Sequence, residues 1–224
     1  MLIKQLLSPY KQALPAKFWL WYEKITATPS PGWRPGYNEP PMGFGHWKAG
    51  DEFQDDKDYH QMVALDKATK LPILYRNTPV SQDISGSDPD TGHVYAHTWH
   101  RNSNSWAIAF DGFGDAAFDD LGSEVCTPAQ IDLFVNTVAE NCVNLHQPVG
   151  MFWSHGEIAD VDGYGCDGPN ETHERWDLDT DIDPITKKLY PRGRGPVGSL
   201  FFPDYIRGRA VLEFARLTKA KWDV

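Results

Sequence analysis

Three polar clusters carry the residues of this chain that could do chemistry. The first is Gly45-His46-Trp47-Lys48-Ala49-Gly50, followed by Asp58-Tyr59-His60. The second is Ala96-His97-Thr98-Trp99-His100-Arg101-Asn102. The third is Ser154-His155-Gly156-Glu157, followed across a Gly-rich loop by Arg175-Trp176-Asp177-Leu178. A catalytic zinc site takes three protein ligands from His, Cys or carboxylate and leaves a fourth position for water. His46, His155 and Asp177 would supply two imidazoles and one carboxylate from distant segments, as ligands on the strand ends and loops of one sheet do. Cys166, a soft donor near His155, is a rival for the third place. The chain has neither an HExxH motif nor paired CxxC motifs, so spacing alone leaves each of these residues open to being an ordinary polar group at a loop end.

The surrounding pattern predicts the elements that must hold these clusters. Gln61–Leu65, Pro72–Tyr75, His93–His97 and Trp106–Phe110 read as short strands, the last alternating large and small residues so that one face packs more tightly. Thr127 is a good N-cap and Pro128 suits the first helical position. Ile131, Phe134, Val135, Val138, Cys142 and Leu145 then recur at helical spacing, which makes Cys142 a core thiol rather than a ligand. Val149–Trp153 reads as a buried strand ending in Ser154-His155, and 160–170 as loop. Pro203, Ile206, Val211, Leu212, Phe214 and Leu217 mark a closing helix. The fold class is α/β, a mixed central sheet flanked by helices with N- and C-terminal helical extensions. Residues 1–41 form an N-terminal helix and a Pro/Gly-rich connector (Thr28–Met42), 42–180 the main domain, and 181–224 a C-terminal extension.

Composition excludes several partners. The 224 residues hold 21 Lys+Arg against 31 Asp+Glu, a net charge of −10. That balance works against phosphate-tracking contact with nucleic acid and against charge-driven docking on anionic membranes. The apolar run Phe18–Tyr22 is too short to span a bilayer, and Lys4, Gln5, Pro9, Lys11 and Gln12 break up any export-signal core. Three cysteines cannot pair fully, which favours a reduced compartment.

The order of the clusters resembles the zinc-dependent N-acetylmuramoyl-L-alanine amidases that share a fold with peptidoglycan recognition proteins. HWKAG stands where that family has an HxTAG-like motif at a strand end, with Lys48 in place of Thr or a small polar residue. Tyr59-His60-Gln61-Met62-Val63 is similar to its YH pair opening a strand, and AHTWHRNSNSWAIAF to its AH, Asn and small-apolar strand. TPAQIDLFVNTVAENCVNL resembles its long helix, SHGEIADVDGYG its second His segment, and ERWDL its closing segment, where the third ligand is Cys or Asp. The match runs from about Phe44 to Leu178.

The resemblance implies that His46, His155 and Asp177 bind Zn2+. It places Tyr59 at the position of a catalytic Tyr and Arg175 at one often held by Lys, where a fixed cation would stabilise an oxyanion. The alternatives are a Tyr packed beside the sheet and a surface Arg paired with Glu174 or Asp179. His97 would orient a ligand, with Trp99 and Asn102 lining a substrate groove, and His60 would be structural. The implied activity is bacteriolytic cell wall degradation, hydrolysis of the amide between N-acetylmuramic acid and L-alanine in peptidoglycan. The other readings are a non-catalytic peptidoglycan-binding module of the same fold, or a zinc peptidase or amide hydrolase with another substrate. With no signal peptide visible, the expected location is cytoplasmic until release or delivery to the wall or periplasm by a non-classical route.

Overall fold

The computed structural model describes residues 12–27, 41–48, 59–77, 98, 101, 104–116, 119–163 and 177–223. The strand expected at His93–His97 and most of the connector expected over Thr28–Met42 lie outside the described residues. Five strands form the central sheet: β1 (Met42–Trp47), β2 (Gln61–Leu65), β3 (Pro72–Arg76), β4 (Ser105–Phe110) and β5 (Phe152–Ser154). Their order is β3-β2-β4-β1-β5. β2, β4, β1 and β5 run parallel, and β3 closes one edge antiparallel to β2. Asp66 sets the turn into β3, its Oδ1 accepting from the Thr69 backbone N–H at 2.7 Å and the Thr69 hydroxyl at 2.7 Å.

Alternation along the strands divides the sheet into two unequal faces. Trp106, Ile108 and Phe110 of β4 and Trp47 of β1 enter the main core, whereas Phe44 and Ala107 belong to a small cluster with Ile158, bordered by Met42, Tyr59 and Trp153. The main core is covered by α1 (Ala16–Thr26), α2 (Pro128–Asn144) and α4 (Phe202–Leu217). α2 begins as its sequence predicts. The Thr127 hydroxyl accepts from the Gln130 backbone N–H at 3.3 Å, and the Gln130 side chain accepts from the Thr127 N–H at 2.9 Å, a reciprocal capping box. Cys142 is fully buried, and burial pushes its thiol pKa up, so it is an inert core thiol. α1 carries the Phe18–Tyr22 run against the core: Phe18 meets Tyr22, Phe214 and Trp222 edge-on or tilted at 5.4–6.5 Å between ring centroids.

Two local expectations are corrected. Val149–Met151 is a 3-10 turn after Pro148, so β5 is only Phe152–Ser154. His155 does not end a strand; it opens α3 (His155–Asp162), a helix that continues into the stretch read as loop and stops at Gly163 in the left-handed conformation, φ 73°. Beyond the sheet, β6 (Thr180–Ile182), β7 (Leu189–Pro191) and β8 (Leu200–Phe201) form an antiparallel sheet ordered β7-β6-β8, ahead of α4 and the short α5 (Lys219–Trp222). Among the described residues no helix is long and apolar enough to cross a membrane.

Candidate metal centre

The carboxyl ends of parallel strands are where α/β sheets place ligands, and three ends converge here. β1 lies between β4 and β5, with His46 in register with Ala109 and Gly45 with Ser154. The small Ala107 and Ala109 leave room on the face that His46 shares. Gly45 points to the other face, where a Cβ would come within 2.7 Å of Leu178 Cδ2 and 2.8 Å of Phe152 Cζ. Glycine is therefore required there by packing. Next to it, Ser154 caps α3: its hydroxyl accepts from the Glu157 N–H at 3.1 Å, and Glu157 Oε2 accepts from the Ser154 N–H at 2.9 Å. That box fixes the turn on which His155 is the first residue. Asp177 is tied to the same turn, its carbonyl accepting from the Gly156 N–H at 3.0 Å. Leu178 then takes φ 62° and buries its side chain completely, in the space left by Gly45.

These constraints bring the three predicted ligands together. His46 Nδ1 lies 2.9 Å and His155 Nδ1 3.1 Å from the same oxygen, Asp177 Oδ2. The other oxygen, Oδ1, accepts from the Trp47 backbone N–H at 2.8 Å. The two imidazole rings stand 4.7 Å apart at 62°. His46 is 1% and Asp177 6% exposed. Burial pushes the Asp177 carboxyl up, but the charge of His46 and the hydrogen bonds of both imidazoles outweigh it and hold the group below the ordinary carboxylate range. Among the described residues this is the one group of three or more His, Cys, Asp or Glu that could hold a metal ion, its ligand atoms all within 4.8 Å of one another.

The donor set fits a borderline divalent cation. Two imidazole nitrogens and one carboxylate oxygen are ligands zinc takes at about 2.0–2.2 Å, which implies edges of about 3.4 Å in a tetrahedral site. The observed 2.9 and 3.1 Å contacts need open by only a few tenths of an ångström. Comparison with protein-family models, curated proteins and solved structures finds no match to this chain.

Tyr59 lies beside the centre, its ring 5.1 Å from that of His46 at 44°, and also borders the small cluster of Phe44, Ala107 and Ile158. His60 is buried and its Nδ1 accepts from the Ala107 N–H at 3.1 Å, which makes it a strand support as expected. Arg175, His97, Trp99, Asn102 and the rival ligand Cys166 lie outside the described residues.

Three further groups support the centre. One row beyond His46 and Ala109, Lys48 Nζ sits 3.2 Å from Asp111 Oδ1, with side-chain exposures of 6% and 0%. Glu157 carries a readable signal, the Ser-x-x-Glu capping pattern. Its partner Arg207, fifty residues away on α4, carries none.

Proposed function

We propose that this chain is a zinc-dependent N-acetylmuramoyl-L-alanine amidase with a peptidoglycan recognition protein/amidase-like fold. The observation that carries the reading is the convergence of buried His46 and Asp177 with half-buried His155 at the carboxyl ends of β1 and β5. The order of the sequence motifs, with each ligand in its expected segment, supports it further.

Zinc bound by these residues would supply Lewis acidity and a water whose pKa is lowered toward ~7. The chain's own groups do the rest. His46 and His155 would hold the ion through their imidazoles, and strand β1 and the first turn of α3 set the positions of the two rings. Asp177 would contribute its carboxylate, whose orientation the Trp47 N–H fixes at Oδ1. Tyr59, whose ring lies 5.1 Å from that of His46, would be the group that passes a proton toward the leaving amine. The resemblance would further give Arg175 the role of cation for the developing oxyanion, and His97, Trp99 and Asn102 that of orienting ligand and glycan. The acidic net charge gives no attraction to anionic wall polymer, so affinity comes from the groove and the centre.

Digestion of purified sacculi with and without chelator tests the reading. New L-alanine N-termini without new reducing ends, abolished by chelation, are the expected result. Peptidoglycan binding without new amines would replace it with a non-catalytic binder. Chelator-sensitive cleavage of other amides alone would indicate a zinc peptidase or amide hydrolase with another substrate.

A further inference from the structure

Helix α4 buries one face against α2 and the sheet, and that face is apolar except at one position. Phe202, Pro203, Tyr205, Ile206, Ala210, Val211 and Phe214 are buried, and Arg207 sits among them at 1% exposure. Taking a guanidinium out of water costs several kcal/mol, and a hydrophobic residue of similar volume in place of a buried ion pair is often neutral or stabilising. Stability is thus a weak reason for an arginine there, and its contacts supply a better one. Nη1 donates to the Phe152 carbonyl at 3.0 Å and to Glu157 Oε2 at 2.8 Å; Nη2 donates to Glu157 Oε1 at 2.8 Å and to Asp204 Oδ1 at 2.6 Å. Glu157 Oε2 also holds the Ser154 N–H. One rigid fork therefore grips the chain three residues before His155 and two residues after it.

We propose that Arg207 is a positioning residue for the metal centre, acting through Glu157 to fix the helical turn that presents His155. The proposal rests on the metal-binding reading of His46, His155 and Asp177. From one side the Asp177 carbonyl and carboxylate hold this turn; from the core side Arg207 does. Capping Ser154 needs only a carbonyl oxygen, which glutamine also provides. The charge of Glu157 serves the arginine.

Zinc affinity of the full chain, measured by chelator competition for wild type, Arg207→Met and Glu157→Gln, tests this. It is paired with the unfolding temperature in chelator and the visible spectrum of the cobalt-substituted protein. Outer partners of metal ligands typically change affinity ~10–100-fold, and Arg207→Met, one contact further out, should weaken zinc by about the lower figure and alter the cobalt spectrum; because it leaves Glu157 without its buried partner, it also lowers the unfolding temperature of the metal-free protein. Glu157→Gln, which keeps the cap, should shift affinity and spectrum in the same direction, and it decides the matter if Arg207→Met does not fold. Wild-type affinity and spectrum in the folded variants would overturn the proposal, even with a lowered metal-free unfolding temperature, because that is a purely structural role. A wild type that binds no zinc would overturn the metal reading itself, and this proposal with it.

Discussion

Gly45→Ala asks how tightly packing behind the centre controls the ligands in front of it. The new Cβ would lie 2.7 Å from Leu178 Cδ2, 2.8 Å from Phe152 Cζ and 3.4 Å from Phe134 Cζ. Ordinary carbon contacts are about 3.5–4.0 Å, so two are short by roughly 0.7 Å or more. All three neighbours are fully buried and have no solvent side to turn into. Overpacking of this kind costs about 1–3 kcal/mol, and alanine recovers about 0.5–1 kcal/mol of the glycine's conformational entropy in a strand. A net loss centred on about 1 kcal/mol (range about 0–2.5) follows, or roughly 2–4 °C in Tm for a chain of this size. Relief of the clash displaces Leu178, which follows ligand Asp177, and Phe152, on the strand that leads to His155, so zinc affinity should fall about 10-fold. Calorimetry in chelator and zinc competition measure the two effects separately. Gly163→Ala is the control: its Cβ meets nothing within 4 Å, and only its φ of 73° is strained, so Tm should drop without a change in zinc affinity. A Gly45→Ala variant that melts and binds zinc like wild type would refute the packing argument.

Purified wild type should carry about one zinc, as a three-ligand catalytic site implies, and His155→Ala should lose most of it; a fully loaded variant by elemental analysis would contradict the ligand assignment. A double-mutant cycle with Lys48→Met and Asp111→Asn should return a coupling energy well above the ~0.2–1 kcal/mol of exposed pairs, because both side chains are buried; a value inside that range would show the pair to be incidental. Hydrogen bonds from Thr69 hold the Asp66 carboxyl below its ordinary range, and those from Thr186 and Ile185 do the same for Asp183. A depressed folded-state pKa gives stability that is present above the ordinary value of ~3.9 and is lost as pH falls through the folded one. The double variant Asp66→Asn, Asp183→Asn should therefore lose Tm less steeply than wild type below about pH 4, and parallel Tm curves would exclude the assignment.

Elements specified by local signals were legible in the sequence. Thr127, Pro128 and Gln130 encode the start of α2 within a single turn, and the large/small alternation of Trp106–Phe110 encodes the two faces of β4. β1 is not encoded that way. Gly43 and Gly45 weaken any strand pattern, and the strand exists because β4 and β5 pair with it on both sides while Trp106, Leu178 and Phe152 fill the space its glycines leave. The start of α3 was readable from Ser154 and Glu157, but the preceding apolar run drew the strand assignment across His155. The ligand set could be named from residue types and motif order, whereas the contact of both imidazoles with one carboxylate oxygen depends on register and on the reversal at Leu178. Arg207 was illegible, since its role depends on a partner fifty residues away. The two- and three-residue strands β6, β7 and β8 are too short to show a period.

His46 and Asp177 are separated by 131 residues, and Asp177 follows His155 by 22. An unfolded chain with its ligands so scattered presents no preformed chelate, so an ion held by the three would bind the folded protein far more tightly than the unfolded one. Nearly all of its binding free energy then appears as resistance to unfolding, ~4 kcal/mol when the free ion is at a thousand times its Kd. An ion bound there would act as a latch on the assembled sheet, adding to its resistance to unfolding.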